Sequence, residues 1–382
     1  MGISIQGNIA GQGLVQVEIE NGRIGAVRPL GPGGAERPFL SPGFVDMQVN
    51  GFAGVDFSDA ELDAPKAASV LPALWKTGVT SFCPTLITNS LEQLARNFRV
   101  LEEARKLDEG FARTVPGYHL EGPYLSPGGA HGVHDTRLMR LPNWDEFSHL
   151  QQAAGGRIAI VTLAPELPGA GEFIRRARAA GVVVGLGHTD GAAEDIHRAA
   201  EAGAQLSTHL GNGCPSMIER HQNPLWAQMA SEQLAASIIC DGFHLPPDLV
   251  RVIYKVKGIE RCILITDAVH VANLPPGRYS LAGLEIELLP EGKVVAVGRT
   301  HLAGSALSMN RAVVVFEKFA RASLAEALAA ATTNPARLLR RQGVGAALAP
   351  GQPANLVAFR RGPEALRIET VLLRGEQVYG AN

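Results

Sequence analysis

The sequence lacks several features that would assign a protein to a class at first sight. Its four cysteines form no CxxC pair and are widely spaced, which predicts buried free thiols rather than a cysteine metal cluster. No window approaches the roughly 20 apolar residues that a membrane span needs. The first residues, MGISIQGNIAGQG, have neither the basic start nor the apolar stretch of a signal peptide. These absences predict a cytoplasmic protein with no membrane association.

A strong charge of either sign is also missing. The formal net charge is −2 over 382 residues, so the overall balance indicates neither a nucleic-acid partner nor an anionic membrane. Hydrophobic residues make up 46% of the chain, enough for a sizeable core in one large domain, with or without a smaller one.

Both ends of the chain have the pattern of short β-strands, while the middle alternates between strand and helix patterns. Asn21-Gly22 lies between two apolar/polar alternating runs and predicts a hairpin turn. We expect residues 1–42 and 344–382 to form one small β-sandwich-like domain. Residues 43–343 would then be inserted between its two parts.

The middle contains eight candidate strands, most of them followed by a helical pattern. Eight such units over about 230 residues predict an α/β fold of the (β/α)8 TIM-barrel type. A doubly wound open sheet is the alternative, but its usual glycine-rich loop does not follow residue 49. A Gly/Pro-rich section, 271–305, comes after the last strand, and helices are predicted over 307–322 and 323–340. The candidate strands cover residues 44–49, 79–84, 115–121, 158–164, 182–188, 205–209, 236–241 and 262–267.

Four ionisable side chains stand at the ends of these strands: Glu121, His188, His209 and Asp267. The carboxyl ends of barrel strands converge on one mouth, so these residues could meet there. Two imidazoles and a carboxylate suit a zinc-like ion and leave a position open for water, whose ionisation the ion promotes. Asp267 would then be the base. Each residue alone has an ordinary structural explanation, such as a helix N-cap for Asp267, but the shared position favours a site.

The first strand ends in Gln48 and Asn50, where metal-dependent hydrolases on this barrel often carry His-x-His. Amides are poor ligands for zinc-type ions. The sequence therefore predicts a site for one ion rather than two.

Together these motifs resemble the N-acetylglucosamine-6-phosphate deacetylase family of the amidohydrolase superfamily. The resemblance extends over nearly the whole chain, and HLEGP with LAGSALSM are its most specific parts. It implies hydrolysis of the N-acetyl group of N-acetylglucosamine 6-phosphate. The motifs are PGFVDMQVNG (42–51), HLEGPYLSPGGAH (119–131), GHTDG (187–191), STHL (207–210), DGFHLPP (241–247), ITDAV (265–269) and THLAGSALSMNRAV (300–313).

The resemblance also implies roles for individual residues. Glu121, His188 and His209 would bind one divalent ion per subunit, with zinc favoured and iron, manganese and cobalt open. Asp267 would act as general base and then acid, and His131 would polarise the amide carbonyl. Arg220 would reach the phosphate in the neighbouring subunit's site, which implies a homodimer. The implied substrate-binding residues are Gln48, His131, Asn212, Gly213, Arg220, His244 and Leu302.

The loop after His209 departs from the family, because Gly211, Gly213 and Cys214 stand where an aromatic residue, Ala and Met are usual. This departure leaves open deacetylation of another N-acyl amino sugar, either the galactosamine epimer or an unphosphorylated sugar. A separate alternative, of another class, is a catalytically silent ligand-binding barrel. Among the other histidines, His134 is predicted to be a surface or helix residue.

Overall fold

A computed structural model describes residues 2–281, 283–298, 302–341 and 343–380. The strands are β1 Ile3–Ile9, β2 Gly13–Glu20, β3 Arg23–Gly31, β4 Phe39–Pro42, β5 Phe44–Val49, β6 Gly51–Phe52, β7 Val55–Asp56, β8 Val79–Ile87, β9 Tyr118–Glu121, β10 Ile158–Leu163, β11 Val183–Leu186, β12 Leu206–Ser207, β13 Ala235–Ile239, β14 Cys262–Ile265, β15 Gly277–Leu281, β16 Leu284–Leu288, β17 Val294–Ala296, β18 Leu356–Arg360, β19 Arg367–Leu373 and β20 Glu376–Gly380. The helices are α1 Ala64–Ala68, α2 Leu71–Lys76, α3 Leu91–Leu107, α4 Glu109–Thr114, α5 Trp144–Ala153, α6 Ala170–Ala179, α7 Ala193–Ala202, α8 Pro224–Ala230, α9 Pro247–Lys257, α10 Met309–Ala320, α11 Leu324–Ala331 and α12 Thr333–Leu339.

Eight parallel strands form the barrel, in the order β14-β13-β12-β11-β10-β9-β8-β5. They are buried almost throughout, because helices cover the outside and side chains fill the inside. The ring closes where the segments after β5 and β14 meet. There Asp267 N donates to Gln48 O at 3.0 Å, and Asn50 N donates to Ala268 O at 2.8 Å. The predicted (β/α)8 barrel is confirmed.

The helices follow the amphipathic pattern of their sequences, as α3 illustrates. The Ser90 side chain caps its first turn by accepting from Gln93 N at 3.2 Å, and the residues spaced by three and four positions, Leu94, Phe98 and Leu101, face the core. The single helix predicted over 323–340 is instead two, α11 and α12. The chain breaks at Thr332, whose φ and ψ of −134° and −81° are not helical.

The two chain ends share one seven-stranded sheet, in the order β20-β19-β18-β4-β1-β2-β3. The ends join through β4 and β18, whose antiparallel register pairs Ser41 with Val357. Asn21 and Gly22 have φ of 51° and 73°, which gives the tight turn predicted between β2 and β3. The separate β unit built from both ends is confirmed, while its boundaries at 42/43 and 343/344 stay a prediction.

Strands β15, β16 and β17 form a small antiparallel sheet inside the Gly/Pro-rich section. It has its own apolar cluster, which includes Val271, Leu281 and Ile286. Bridges from Ala268 to Ser305 and from Val295 to Leu302 tie this segment to the barrel mouth. Within the residues described, every helix is too short or too polar to cross a bilayer.

Candidate active site

The four strand-end residues meet at the mouth of the barrel. Glu121 is the last residue of β9, and the other three follow their strands by two residues. His188, His209 and Asp267 have positive φ of 50°, 33° and 49°. This left-handed backbone is uncommon outside glycine, and strained residues cluster at functional sites. The left-handed backbone just after each strand directs the side chain towards the barrel mouth.

Glu121, His188 and His209 form a group of ligand atoms that fits one metal ion. His209 Nε2 lies 2.9 Å and His188 Nε2 lies 3.4 Å from the same oxygen, Glu121 Oε1. All three ligand atoms lie within 4.8 Å of one another, and all three residues are buried. Ligands about 2 Å from a tetrahedral ion stand about 3.3 Å apart, which is close to this spacing.

The hydrogen bond of His188 fixes which of its nitrogens can bind a metal. His188 Nδ1 donates to Ala130 O at 2.8 Å, so the proton is on Nδ1 and the lone pair of Nε2 faces Glu121. Burial alone would raise the pKa of Glu121, but the neighbouring imidazoles of His188 and His209 outweigh burial and hold that pKa well below its usual value. The carboxylate is therefore ionised, as a metal ligand must be.

Asp267 faces this cluster and is held by two amides. Gln48 Nε2 donates to Asp267 Oδ1 at 2.9 Å and to Glu121 Oε1 at 2.8 Å, and Asn50 Nδ2 donates to Asp267 Oδ1 at 2.7 Å. Burial and the nearby Glu121 carboxylate raise the pKa of Asp267 to about 6. A carboxyl group with this pKa can both accept and return a proton near neutral pH.

His134, predicted to be a surface or helix residue, is buried beside the cluster. Its ring packs against His188 with centroids 4.4 Å apart, and its Nε2 lies 4.0 Å from Glu121 Oε2. Thr88 contacts its Nδ1 twice, through Oγ1 at 2.8 Å and through a backbone N–H at 3.4 Å. Because a backbone N–H can only donate, Nδ1 is the acceptor and the ring proton is on Nε2. At the cluster, His134 therefore offers an N–H donor through Nε2, whereas His188 offers the lone pair of its Nε2.

A cavity of about 250 Å³ opens above the cluster. It brings together most of the residues predicted to bind substrate, and Gln48, which is not in the lining, donates to the lining residues Glu121 and Asp267. His131 is not among its lining residues; its Nδ1 is buried without a hydrogen-bond partner among the described residues. Asp56 and Ser58 also line the cavity, although no motif had indicated them. The predicted site residues in its lining are Glu121, His188, His209, Asn212, Gly213, His244, Asp267 and Leu302.

His244 is oriented at the cavity wall by a carboxylate. Its Nδ1 lies 2.6 Å from Asp241 Oδ2, and Asp241 Oδ1 also accepts from His244 N at 2.9 Å. Burial alone would raise the pKa of Asp241, but its bonds to His244 hold that pKa below its usual value. An ionised Asp241 favours a proton on Nδ1 of His244, whose ring is thereby fixed against the cavity.

The divergent loop after β12 carries Arg220 to the surface. Arg220 is exposed and does not line the cavity of its own chain. Its carbonyl accepts from Trp226 Nε1 at 3.1 Å, which fixes the backbone there. Large apolar side chains are exposed on both sides of it, with Met217 88% and Trp226 53% accessible. This apolar rim around a cation has the composition of a protein contact surface.

Comparison with known proteins places this geometry among amide hydrolases. The Amidohydrolase family profile matches residues 39–378. An N-acetylgalactosamine-6-phosphate deacetylase of Escherichia coli O157:H7 is 33% identical over 366 residues, 94% of each chain. The human N-acetylglucosamine-6-phosphate deacetylase is 33% identical over 355 residues, 90% of this chain and 84% of the human one. The structure of the N-acetyl-D-glucosamine-6-phosphate deacetylase of Mycobacterium smegmatis, a D267A mutant in complex with N-acetyl-D-glucosamine-6-phosphate, superposes with a TM-score of 0.87 at 31% identity and covers 99% of both chains.

Proposed function

Because the chain belongs to the amidohydrolase family, we propose that it removes the acetyl group of N-acetylglucosamine 6-phosphate, giving glucosamine 6-phosphate and acetate. The observation that carries this proposal is the buried Glu121, His188 and His209 cluster with Asp267 facing it at the barrel mouth. The full-length similarity to deacetylases of amino-sugar phosphates supplies the substrate class.

The three ligand residues would hold one divalent ion, for which zinc is the favoured identity, with iron, manganese and cobalt as alternatives. When bound, such an ion supplies the Lewis acidity that promotes ionisation of water and polarises a carbonyl. Gln48 and Asn50 fill the place where a second ion would need imidazoles, and both donate to Asp267 Oδ1. This supports a site for a single ion.

Asp267 takes the proton of the attacking water and returns it to the amine as the C–N bond breaks. The donor for the developing oxyanion is His134 in this proposal, in place of His131. Its Nε2 proton is fixed by Thr88 and lies at the cavity, whereas His131 does not line it.

Replacing His134 by Phe should lower kcat by about 10²–10³-fold with the metal retained. The matched His131→Phe variant should keep most of its activity, and the reverse ranking would return the role to His131.

The phosphate would be bound by His244 from the same chain and by Arg220 from a second copy. No lysine or arginine lines the cavity among the described residues, although a phosphate dianion calls for a guanidinium partner. Arg220 stands on the exposed apolar rim, which supports a homodimer in which each copy completes the other's site.

Mixing two inactive variants tests this exchange. A dimer of one Asp267→Asn chain and one Arg220→Ala chain has one intact site if Arg220 acts in the neighbour, and none if it acts in its own chain. Random reassociation should therefore restore about a quarter of wild-type activity. A mixture no more active than its two parents would contradict the arrangement.

The substrate test compares acetate release from four sugars: N-acetylglucosamine 6-phosphate, its galactosamine epimer, and both sugars without phosphate. We expect the highest kcat/KM for the glucosamine phosphate. The galactosamine epimer is the second candidate, because the Escherichia coli relative acts on it and the loop at 210–224 differs from the family. A preference for an unphosphorylated sugar would refute the roles of Arg220 and His244. We further propose a cytoplasmic location, which rests on the sequence alone.

A further inference from the structure

A second cavity, of about 880 Å³, lies where the seven-stranded sheet meets the barrel helices. Among the residues that the structure describes, it shares none of its lining with the cavity at the barrel mouth. Its walls are the β2–β3 turn, the β19–β20 turn, the end of α4 and the segment after α12. Nothing in the proposed reaction uses it.

Arginine dominates the lining of this cavity. Arg23, Arg113, Arg341 and Arg374 face one carboxylate, Glu376. In a chain with a formal net charge of −2, this is a local concentration of positive charge. Like charges brought together without counter-charges repel one another, so such a cluster calls for a structural or functional explanation.

Counting the described residues alone, carboxylates neutralise only one of the four arginines. Arg113 pairs with Glu109 at 2.5 Å and with Glu376 at 2.6 Å. The other three, Arg23, Arg341 and Arg374, have no carboxylate within 4 Å among the residues that the structure describes. Arg23 Nη1 donates to Gly351 O at 2.7 Å, which positions the guanidinium without cancelling its charge.

Glycines give Arg374 the room it occupies. Gly22, in the β2–β3 turn, has a φ of +73°. A Cβ there would lie 2.9 Å from Arg374 O in the β19–β20 turn, so these two turns can approach closely because Gly22 has no side chain. A Cβ at Gly343 would lie 3.2 Å from Arg374 Nη2. The guanidinium of Arg374 therefore lies against bare backbone, and the cavity wall is shaped around it.

We propose that this cavity binds a small molecule with two phosphate groups, of the sugar bisphosphate class. Guanidinium groups match phosphate oxygens bidentately, and three unpaired ones suit more than one phosphate. The volume exceeds what a single phosphate fills. No aromatic ring lines the cavity among the described residues, so nothing there would stack on a nucleobase, which disfavours a nucleotide.

Binding would join two parts of the molecule. Arg23 and Arg374 belong to turns of the seven-stranded sheet, while Arg113 and Arg341 belong to the barrel helices and their extension. A ligand held by both sides stabilises their junction by mass action, so binding should raise the unfolding temperature.

The test is calorimetric titration of the full-length, metal-loaded protein with fructose 1,6-bisphosphate, and with fructose 6-phosphate as the matched single-phosphate probe. We expect saturable binding of the bisphosphate, at least about tenfold tighter than the monophosphate. The double variant Arg341→Gln/Arg374→Gln should lose at least about tenfold in affinity. Its unfolding temperature without ligand should not fall, because the substitutions remove like charges.

The control is Arg99→Gln/Arg178→Gln, which removes the same charge from exposed arginines on α3 and α6. It should bind as the wild type does. Equal affinity in the cavity variant and the wild type would overturn the proposal, as would the lack of saturable binding at millimolar bisphosphate. Because none of these residues lines the barrel-mouth cavity, acetate release by the cavity variant reports separately on the proposed function.

Discussion

At the scale of single residues, Asp267 is the group whose loss should separate chemistry from metal binding. It is hydrogen-bonded by Gln48 and Asn50 but is not one of the three clustered ligands. Asp267→Asn removes the proton acceptor and leaves Glu121, His188 and His209 in place. We expect kcat to fall by about 10²–10⁴-fold while metal content, measured by elemental analysis, stays at the wild-type value. An Asn variant with full activity would remove Asp267 from the mechanism.

Gly213 is a second residue that the site requires, because only a residue without a side chain can pack this closely against His188 and His209. Its φ is +58°, and a Cβ would lie 2.9 Å from His209 Cε1 and 3.1 Å from His188 N. Gly213→Ala should therefore displace ligand histidines and weaken metal affinity by about 10–100-fold, as measured by competition with a chelator. Gly11→Ala is the control, since Gly11 has a φ of +79° with open space around it. Equal metal affinity in both variants would contradict this packing.

Residues at strand ends could be predicted from the pattern of the sequence alone, whereas loop residues such as Asn212 and His244 were predicted only through the family resemblance. Glu121, His188, His209 and Asp267 each end an apolar run, and the parallel barrel brings such ends together. His134 lies in the irregular segment between β9 and α5, which has no periodicity that shows where it folds. Its position depends on Thr88, 46 residues earlier in the chain. A pairing of this kind is a property of the folded chain.

At the scale of elements, Lys257 joins α9 to the end of α8 and to the connection between α8 and β13. Its side chain is buried, and Nζ donates to the carbonyls of Gln228, Ser231 and Leu234. Lys257→Met keeps the apolar stem and leaves three carbonyls without this donor. We expect the free energy of unfolding to fall by about 3–5 kcal/mol in urea denaturation.

Lys255→Met is the matched control for this variant, because Lys255 is exposed on the same helix. Its unfolding free energy should change by less than about 0.5 kcal/mol. If the two methionine variants were equally stable, the three hydrogen bonds of Lys257 would contribute nothing measurable.

Local chemistry also explains why one predicted helix differs in the structure and why three short strands left no signal in the sequence. The predicted helix 323–340 contains Pro335, which cannot donate within a helix, and the chain breaks shortly before it at Thr332. The small sheet β15–β17 lies in a section rich in glycine and proline, where strands of three to five residues give little signal. The long helix α3, by contrast, has buried residues spaced by three and four positions, a pattern that the sequence shows directly.

At the scale of the whole molecule, Asp46 links the first and last strands of the barrel. Its Oδ2 accepts from Thr266 Oγ1 at 2.6 Å, and its Oδ1 accepts from Thr266 N at 3.2 Å. The side chain is fully buried, and this burial raises its pKa from 3.8 to about 7, although the bonds from Thr266 and Gln48 oppose the shift. The folded protein therefore keeps a proton on Asp46 at pH values where the unfolded chain has lost it.

The pH dependence of barrel stability follows from this raised pKa. Since the folded-state pKa lies above the unfolded one, the stabilisation is complete below about pH 4 and is lost as the pH rises through about 7. Asp46→Asn replaces the protonated carboxyl with an amide of the same shape that does not titrate. Between pH 4 and pH 7, the wild type should lose up to about 4 kcal/mol of unfolding free energy relative to Asp46→Asn in parallel urea titrations. Parallel curves for the two proteins over this range would mean that Asp46 is ionised in the folded barrel and that the β5–β14 closure holds a buried charge.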